Sequence, residues 1–549
     1  MTDLRNKIEN KFVKYLIYII LGALWSLSNV GYVKYFGSGF AFFTLSFFIF
    51  FIQKENIKVG MKYSIVFGFS AYLVHFWWMS IPMTIVMGSS LFPTYISAIA
   101  LFIGVIVTLF VSLFQAFYYT IVFLVSKYMS FNKKIYFYLS FALYGTVLDY
   151  FYPKIWADFL GYSQFNNHLL IQSVDLLGIS LISMIILLFN ATFAFLYDRF
   201  SMNKSLTLPL TLLCSLLLIV AGLNFYGSKR ILHIETLSNK ANSKSIALIQ
   251  GNNSGLDKRD PDRSRNMIRD YNALTKTILN EKPDLVVWPE SAIPMWFSDD
   301  IFDFSSIKHF NRVPLLLGTL YRQYTENSYK IFNSLILIDE NNNKKDIYFK
   351  NKLLPFTEDV PFDFLDFIMP LIGLKEFTAG DGPRILSSGE INAAVNICYE
   401  AIIPDYIRKS IKIKDSKANV IINATNDSWF GKTIEPEMHL RISSIRSIEN
   451  RRYLVRVTCT GYSVVVNALG HIEYRSGLYV PEAHVHKVPL LEIDTVYQNG
   501  GWLFVYIFGL ILFALLLIIV LIKYRIRLNI LKIQSEIKHK EKLIKSWLN

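Results

Sequence analysis

Long runs of apolar residues fill most of the first 226 positions of the chain and return once near its end. A segment that crosses a bilayer as a helix needs about 20 residues. Apolar runs that reach or approach this length lie near 13–29, 37–52, 62–84, 92–127, 134–151, 169–197, 205–226 and 501–523. The pattern predicts a membrane α-helical bundle of about eight transmembrane helices, with seven in an N-terminal membrane domain (1–226) and one C-terminal span (501–523).

The intervening residues, 227–500, show a different pattern. Short apolar runs typical of buried strands lie at 245–251, 284–290, 313–321, 333–339, 392–400, 419–427, 453–459 and 463–469. Helical periodicity appears between them at 263–280, 402–410 and 437–450. Strands that alternate with helices predict an α/β domain. After the last span, the basic stretch 524–549 is expected to form a helical cytoplasmic tail along the anionic inner leaflet.

Composition and charge agree with a membrane protein. Hydrophobic residues make up 53% of the chain, which is too apolar for an ordinary soluble enzyme. The net charge of +14 raises the possibility of nucleic acid binding, but residues 227–500 contain 34 basic and 33 acidic residues. The basic excess therefore lies beside the apolar spans, and no nucleic acid partner is predicted.

The positions of lysine and arginine predict the orientation of the spans, because short cytoplasmic loops are enriched in both residues. With the N-terminus inside, twenty basic residues fall in cytoplasmic segments and two, Lys34 and Lys154, fall outside. This asymmetry predicts that residues 227–500 lie on the far side of the membrane from the cytoplasm.

Three strand ends in the α/β domain carry candidate catalytic residues: Glu290, Lys350 and Cys398. An isolated cysteine is more often an inert small apolar residue. At the edge of one sheet, however, the three types of side chain form a functional set. A carboxylate can take the proton of a thiol, the thiolate can attack an acyl carbon, and an ammonium can stabilise the resulting oxyanion. The three cysteines are scattered, so neither a disulfide framework nor a thiolate metal site is predicted.

The motifs around these residues resemble the nitrilase superfamily, whose members place a Glu-Lys-Cys triad in an α-β-β-α sandwich. With its membrane spans, the chain is similar to the apolipoprotein N-acyltransferase family. The resemblance rests on "WPESAIP" at 288–294, "KNKLLPFTEDVPF" at 350–362, "ICYE" at 397–400 and "NDSWFG" at 426–431, supported by "GYSQ" at 161–164 and "QGN" at 250–252.

The resemblance implies a role for each matching residue. Glu290 is the expected general base, Lys350 the oxyanion-stabilising lysine and Cys398 the acylated nucleophile. The supporting residues of the substrate pocket are expected to be Glu358, which assists the lysine, together with Tyr399, Glu400 and Trp429. For Trp429, a place in the hydrophobic core is an equally good interpretation, whereas Cys214 and Cys459 are expected to be structural.

The implied reaction moves a fatty acyl chain from a phospholipid, through a thioester on the cysteine, to the N-terminal amine of diacylglyceryl-cysteine in an apolipoprotein. Neither a metal nor another cofactor is expected. The expected partners are a phospholipid acyl donor, a diacylated apolipoprotein acceptor and the lipid bilayer. The expected location is the bacterial inner membrane, with the catalytic domain on the periplasmic side.

The sequence departs from the family pattern at two places. Asp359 follows Glu358 where relatives carry an aromatic residue, and Lys258 and Arg259 stand where relatives often carry a tryptophan. Contacts of the lid with lipid are therefore expected to differ there. Two other functions stay open: a membrane-tethered nitrilase-type amidase or ester hydrolase, in which water resolves the acyl-enzyme, and a protein that binds acyl chains or lipoproteins without chemistry.

Overall fold

A bundle of apolar helices forms the N-terminal part of the protein in this computed structural model. The described residues are 11–82, 94–131, 133–253, 261–293, 295–300, 304–310, 312–326, 328–355, 358–359 and 377–547. The helices of the bundle are Lys11–Ser26, Val33–Phe36, Thr44–Ile52, Ile57–Phe76, Thr94–Met129, Lys134–Phe151, Val174–Leu177, Ile179–Ser201 and Thr207–Lys240. Short 3₁₀ turns connect them at Ser38–Phe42, Trp77–Met79, Leu160–Gln164 and Leu170–Ser173.

Several of these helices have the length and composition to cross a membrane. Within the described part of the chain, five helical segments do so: Ile57–Pro82, Ala98–Met129, Ile179–Ser201, Thr207–Lys240 and Tyr497–Lys542. A shorter apolar segment is Ser38–Ile52. Helices Lys11–Ser26 and Lys134–Phe151 coincide with two further predicted spans but are not among the five. An apolar helical membrane part is therefore established, and the count of about eight spans stays a prediction.

Two long helices run past the predicted domain limits. Helix Thr207–Lys240 continues through the predicted boundary at 226/227, and the first strand begins only at Ser243. A π-helical turn, Tyr497–Gly501, leads into the last helix, Leu503–Trp547, which joins the predicted span and the basic tail in one continuous helix.

Among the residues that the structure describes, fifteen strands lie between these helices. In chain order they are β1 Ser243–Gln250, β2 Leu285–Val287, β3 Trp296–Phe297, β4 Leu315–Tyr324, β5 Tyr329–Ile338, β6 Lys344–Phe349, β7 Arg384–Ser388, β8 Ile391–Ile397, β9 Lys412–Ile413, β10 Ser416–Lys417, β11 Val420–Thr425, β12 Tyr453–Thr458, β13 Val464–Val466, β14 Ile472–Arg475 and β15 Glu482–Pro489. The accompanying helices are Pro261–Ile278, Pro404–Ile411 and Glu435–Asn450, with 3₁₀ turns at Leu279–Glu281, Cys398–Ile402 and Asp427–Phe430. All eight predicted strands and all three predicted helices are present.

Most strands belong to two mixed sheets. The first sheet has the order β15-β1-β2-β4-β5-β6, with β3 paired to β4. Its β1, β2 and β4 are parallel, and β15, β5 and β6 add antiparallel neighbours. The second sheet has the order β14-β13-β12-β11-β8-β7, in which β12, β11 and β8 are parallel. Strands β9 and β10 form a separate pair.

The alternation of side chains along each strand produces the layers of the domain. Along β1, Ile246 and Leu248 belong to an apolar cluster that includes residues of both sheets, so the sheets pack face to face. Ala247 and Ile249 belong to another cluster, which includes Tyr271 from helix Pro261–Ile278. A third cluster joins the second sheet to helices Pro404–Ile411 and Glu435–Asn450. The four layers form the predicted nitrilase-like α-β-β-α sandwich.

Helix Glu435–Asn450 lies between the sandwich and the membrane bundle. Leu440 packs with the second sheet. Met438, Ile442, Ile445 and Ile448 instead join the apolar cluster of the bundle. All described side chains of the helix except Glu437 are fully buried or nearly so. The helix is therefore part of both halves of the protein.

Candidate active site

Glu290 follows β2 and lies on a main-chain turn that packs tightly against β4. A Cβ atom on Gly318 of β4 would lie 2.0 Å from the carbonyl oxygen of Pro289 and 2.8 Å from Cα of Glu290. Only glycine can therefore occupy position 318 while the turn stays where it is. The main-chain N–H of Ala292 also donates to the Gly318 carbonyl at 2.8 Å, which fixes the turn that presents the Glu290 carboxylate.

Lys350 directly follows β6, and its ammonium is buried with two carboxylates. Its side chain is 1% exposed, and Nζ lies 2.6 Å from Oε2 of Glu358 and 3.8 Å from Oε1 of Glu290. Burial lowers the pKa of Lys350, but the charges of Glu358 and Glu290 outweigh it and hold this pKa above its usual value. Lys350 is therefore a permanent cation inside the site.

Asn333 on β5 links the two carboxylates, although no motif around it had indicated a place in the site. Its Nδ2 donates to Oε1 of Glu290 at 2.6 Å and to Oε1 of Glu358 at 3.1 Å. The main-chain carbonyl of Asn333 accepts a hydrogen bond from the main-chain N–H of Lys350 at 2.8 Å. An asparagine in a mainly apolar strand, "IFNSLILI" at 331–338, was the available signal, because a buried amide needs polar partners.

Cys398 begins the 3₁₀ turn that follows β8. Its backbone has φ of 50°, a left-handed conformation that costs a residue with a side chain about 1–2 kcal/mol. The residue is 7% exposed. Burial and the charge of Glu290 raise the pKa of the thiol, whereas Lys350 and a hydrogen bond with Thr425 lower it, and the raising effects dominate. The resting group is therefore a neutral thiol that needs a base, and Glu290 and Lys350 are both within electrostatic reach.

Glu400 ties the cysteine turn to the lysine loop. Its carboxylate accepts main-chain N–H groups of Ile397, Asn351 and Lys352 at 2.7, 2.7 and 2.9 Å. It also accepts the hydroxyl of Tyr348 at 2.7 Å. Burial raises the pKa of Glu400 despite these donors. The carboxylate is thus saturated with structural hydrogen bonds, and it holds the segments of Cys398 and Lys350 in register.

Tyr399 and Trp429 lie where the sandwich meets the bundle. The Tyr399 hydroxyl donates to the Ile155 carbonyl at 3.0 Å, and its ring lies 6.0 Å from that of Trp156. Trp429 is half-buried and packs against the apolar cluster of the bundle. This position fits the alternative interpretation of Trp429 as a residue of the hydrophobic core. Lys258 and Arg259 lie outside the described residues, whereas Asp359 is half-buried beside Glu358.

A second polar cluster, which the sequence analysis also missed, lies behind Cys398. Within the described residues, Asp427, Glu435 and His439 offer possible metal-ligand atoms within 4.8 Å of one another. Arg456 donates two hydrogen bonds to Asp427, at 2.8 and 3.0 Å. A guanidinium therefore already neutralises this carboxylate, which makes the cluster a poor cation site.

Two protein-family models match separate parts of the chain. The family model described as carbon-nitrogen hydrolase matches residues 245–479. The model described as apolipoprotein N-acyltransferase N-terminal domain matches residues 21–192. The chain thus combines a sandwich of the carbon-nitrogen hydrolase type with a membrane part of one particular family.

Individual relatives match across both parts. A Geobacter metallireducens protein named apolipoprotein N-acyltransferase is 30% identical over 355 residues, which cover 64% of this chain and 67% of that protein. A Rickettsia prowazekii protein of the same name is 26% identical over 494 residues and covers 87% of this chain and 94% of its own length. Among solved structures, the nitrilase-superfamily protein Nit3 of Saccharomyces cerevisiae aligns at 16% identity with a TM-score of 0.36, covering 47% of this chain and 93% of that one.

Proposed function

This chain belongs to the apolipoprotein N-acyltransferase family and is an acyltransferase of lipoprotein N-acylation, and we propose that Glu290, Lys350 and Cys398 carry out the reaction. The observation that carries the proposal is the buried ion cluster beside the thiol. A cation held by two carboxylates, 2.6 and 3.8 Å away, suits a site in which a proton is removed and an oxyanion forms.

In the first half-reaction the thiol becomes acylated. Glu290 takes the proton from Sγ of Cys398, and the thiolate attacks the ester carbonyl carbon of a phospholipid. Lys350 stabilises the negative oxygen of the tetrahedral intermediate. The intermediate collapses with cleavage of the ester C–O bond, and Glu290 returns the proton to the departing lysophospholipid oxygen. The raised pKa of the resting thiol supports this order, because deprotonation has to accompany attack.

In the second half-reaction the acyl chain leaves the thiol. The N-terminal amine of a diacylated apolipoprotein attacks the thioester carbonyl, and Lys350 again stabilises the oxyanion. Glu290 accepts the amine proton and passes it to Sγ as the C–S bond breaks. Glu358 and Asn333 keep the lysine and the base in place through both steps, a role that their contacts at 2.6–3.1 Å support. One site serves both substrates in turn, so ping-pong kinetics are expected.

The membrane part has a matching role in this proposal. Residues 1–226 and 501–523 hold about eight spans, residues 227–500 form the catalytic domain on the periplasmic side of the bacterial inner membrane, and residues 524–549 remain in the cytoplasm. The twenty-to-two distribution of basic residues supports this orientation. Both lipid substrates can then reach the site by lateral diffusion in the bilayer.

A test follows both half-reactions on the purified protein. Phospholipid in detergent micelles should add the mass of one acyl chain to the wild-type protein, and Cys398→Ser should prevent formation of the thioester. A diacylated lipopeptide added afterwards should return the protein to its original mass. The lipopeptide should then carry the transferred acyl chain as an amide. Release of free fatty acid in place of the amide would favour the membrane-tethered hydrolase, and the absence of any acyl adduct would refute the proposal.

A further inference from the structure

His439 lies directly behind the nucleophile, on helix Glu435–Asn450. Its side chain is fully buried. Its Nε2 atom lies 3.3 Å from the main-chain carbonyl oxygen of Cys398. Its Nδ1 atom lies 3.3 Å from Oδ1 of Asp427 and 3.4 Å from Oε1 of Glu435. Both ring nitrogens therefore lie near carbonyl or carboxylate oxygens, which accept hydrogen bonds. A carboxyl group could donate a hydrogen bond to the ring only after gaining a proton.

This arrangement determines the protonation of the ring. A neutral imidazole has one N–H donor and one acceptor, whereas an imidazolium has two donors. We propose that His439 is a positioning residue for acyl transfer: as an imidazolium, it donates Nε2–H to the carbonyl of Cys398, while the carboxylates beside Nδ1 balance its charge. The inference rests on the proposed role of Cys398 as the acylated nucleophile.

The carbonyl needs this support because the cysteine turn is strained. Cys398 has a left-handed backbone, so its main chain stays in place only if neighbouring groups hold it. Asn423 on β11 directs Nδ2 to the same carbonyl at 3.4 Å, a long contact. His439 supplies the second donor from helix Glu435–Asn450, which packs on the sheet that contains Asn423. Together they fix the orientation of the peptide group that follows Cα of Cys398. The position from which the Cys398 side chain extends is fixed with it.

The surrounding charges favour the imidazolium. The charged groups that face the ring are Asp427 from the preceding 3₁₀ turn, Glu435 from the same helix and Arg456 from β12, while the ring of Trp156 packs edge-on at 5.5 Å. Burial and Arg456 lower the pKa of His439, but the contacts with Asp427 and Glu435 outweigh them and raise it. With Arg456, the imidazolium balances the two carboxylates.

Glu435 makes this support depend on pH. Burial raises the pKa of Glu435 to about 7, so its carboxyl gains a proton as the pH falls below that value. Asp427, whose pKa is held below its usual value by Arg456 and His439 despite burial, then balances the charge of the imidazolium without Glu435. Above pH 7, Glu435 becomes a second carboxylate that keeps the imidazolium charged.

The test compares two replacements of His439. Gln places an amide donor near the position of Nε2, whereas Leu has none. Two rates are measured: formation of the acyl thioester with phospholipid micelles, and alkylation of Cys398 by iodoacetamide, read from the mass of the peptide that carries it. His439→Leu should slow both roughly 10- to 100-fold, the effect of losing a hydrogen bond from a charged donor. His439→Gln should lose clearly less than His439→Leu, because its neutral amide still donates to the carbonyl but carries no charge. The melting temperature is measured in parallel.

Wild-type rates in His439→Leu would overturn the proposal, as would equal losses in both variants when their melting temperatures match that of the wild type. If His439→Leu does not fold, Glu435→Gln decides. This variant should acylate at the wild-type rate at pH 6 and more slowly at pH 8.5, because the imidazolium has lost one carboxylate. Glu437→Gln is the matched control on the same helix, where Glu437 instead pairs with Arg441 and Arg475. Equal profiles for Glu435→Gln and Glu437→Gln would refute the inference.

The alkylation arm separates this inference from the proposed function. If the wild-type protein forms no thioester, the acyl-transfer proposal fails. The order of alkylation rates among wild type, His439→Gln and His439→Leu still reports whether the ring positions the cysteine.

Discussion

Replacing Lys350 with methionine separates the charge of the lysine from its bulk. Methionine keeps most of the side-chain length but removes the ammonium that lies 2.6 Å from Glu358 and 3.8 Å from Glu290. The variant therefore loses the group proposed to stabilise the oxyanion. It also leaves two buried carboxylates, both hydrogen-bonded to Asn333, without their cation.

Each loss has its own expected magnitude. Deleting one oxyanion-stabilising group slows acyl transfer by roughly 10²–10³. Removing one partner of a buried ion pair costs about 3–5 kcal/mol in the free energy of unfolding. The uncompensated carboxylates can be relieved by protonation. The stability gap between Lys350→Met and the wild type should therefore be largest near neutral pH and narrow as the pH falls.

The assay measures the rate of thioester formation by intact mass and thermal unfolding in detergent between pH 5 and 8. Lys352 provides the control: it is two positions away, and its side chain is exposed. Lys352→Met should leave the rate of acylation unchanged. It should shift the free energy of unfolding by no more than about 0.5 kcal/mol. Unchanged acylation in Lys350→Met, or an equal loss in both variants, would refute the role assigned to Lys350.

Four further expectations can be checked with related measurements. Alkylation of Cys398 should rise about tenfold per pH unit from 7 to 9 without a plateau, because the pKa of the thiol is raised; a plateau below pH 8 would contradict this. Glu400→Gln should lower the free energy of unfolding by about 1–3 kcal/mol and slow acylation, because its NH₂ group would face main-chain N–H donors. Wild-type melting would count against that role. Cys459→Ala should retain most activity, since its thiol donates to the main-chain carbonyl of Glu290 at 3.3 Å, a group that takes no part in the proposed reaction. A cysteine at Asn341 should react with an impermeant maleimide in intact spheroplasts and one at Ser535 only after lysis, in a variant lacking Cys398; the reverse pattern would contradict the predicted orientation.

The sheets could be predicted as far as their strands are apolar. Buried central strands such as Val420–Thr425 and Tyr453–Thr458 stand out as mainly apolar runs. Strands Lys344–Phe349, Ile472–Arg475 and Glu482–Pro489 were not predicted. They lie at or near sheet edges, where exposed positions carry charged side chains and the apolar pattern is lost.

The candidate site divides in the same way. Glu290, Lys350 and Cys398 could be proposed as site residues because each follows an apolar strand and belongs to a recognisable motif. Asn333 and His439 could not, because their importance depends on which atoms face them across different layers. Sequence spacing places residues along a strand or helix, but it does not reveal contacts between elements that are distant in the chain.

The interface between the two halves shows why the membrane part does more than anchor the enzyme. Helix Glu435–Asn450, which places His439 3.3 Å from the main-chain carbonyl of Cys398, packs its apolar residues against the bundle as well as the sheet. At the end of this helix, Arg451 forms a buried ion pair with Asp175 of the bundle at 2.8 Å. Without the bundle, the helix would expose apolar side chains, at a cost of several kcal/mol, and Arg451 would lose its ion pair with Asp175. The turn at Cys398 therefore depends on the membrane bundle for its support, which couples the geometry of the candidate site to the apolar helical part of the protein.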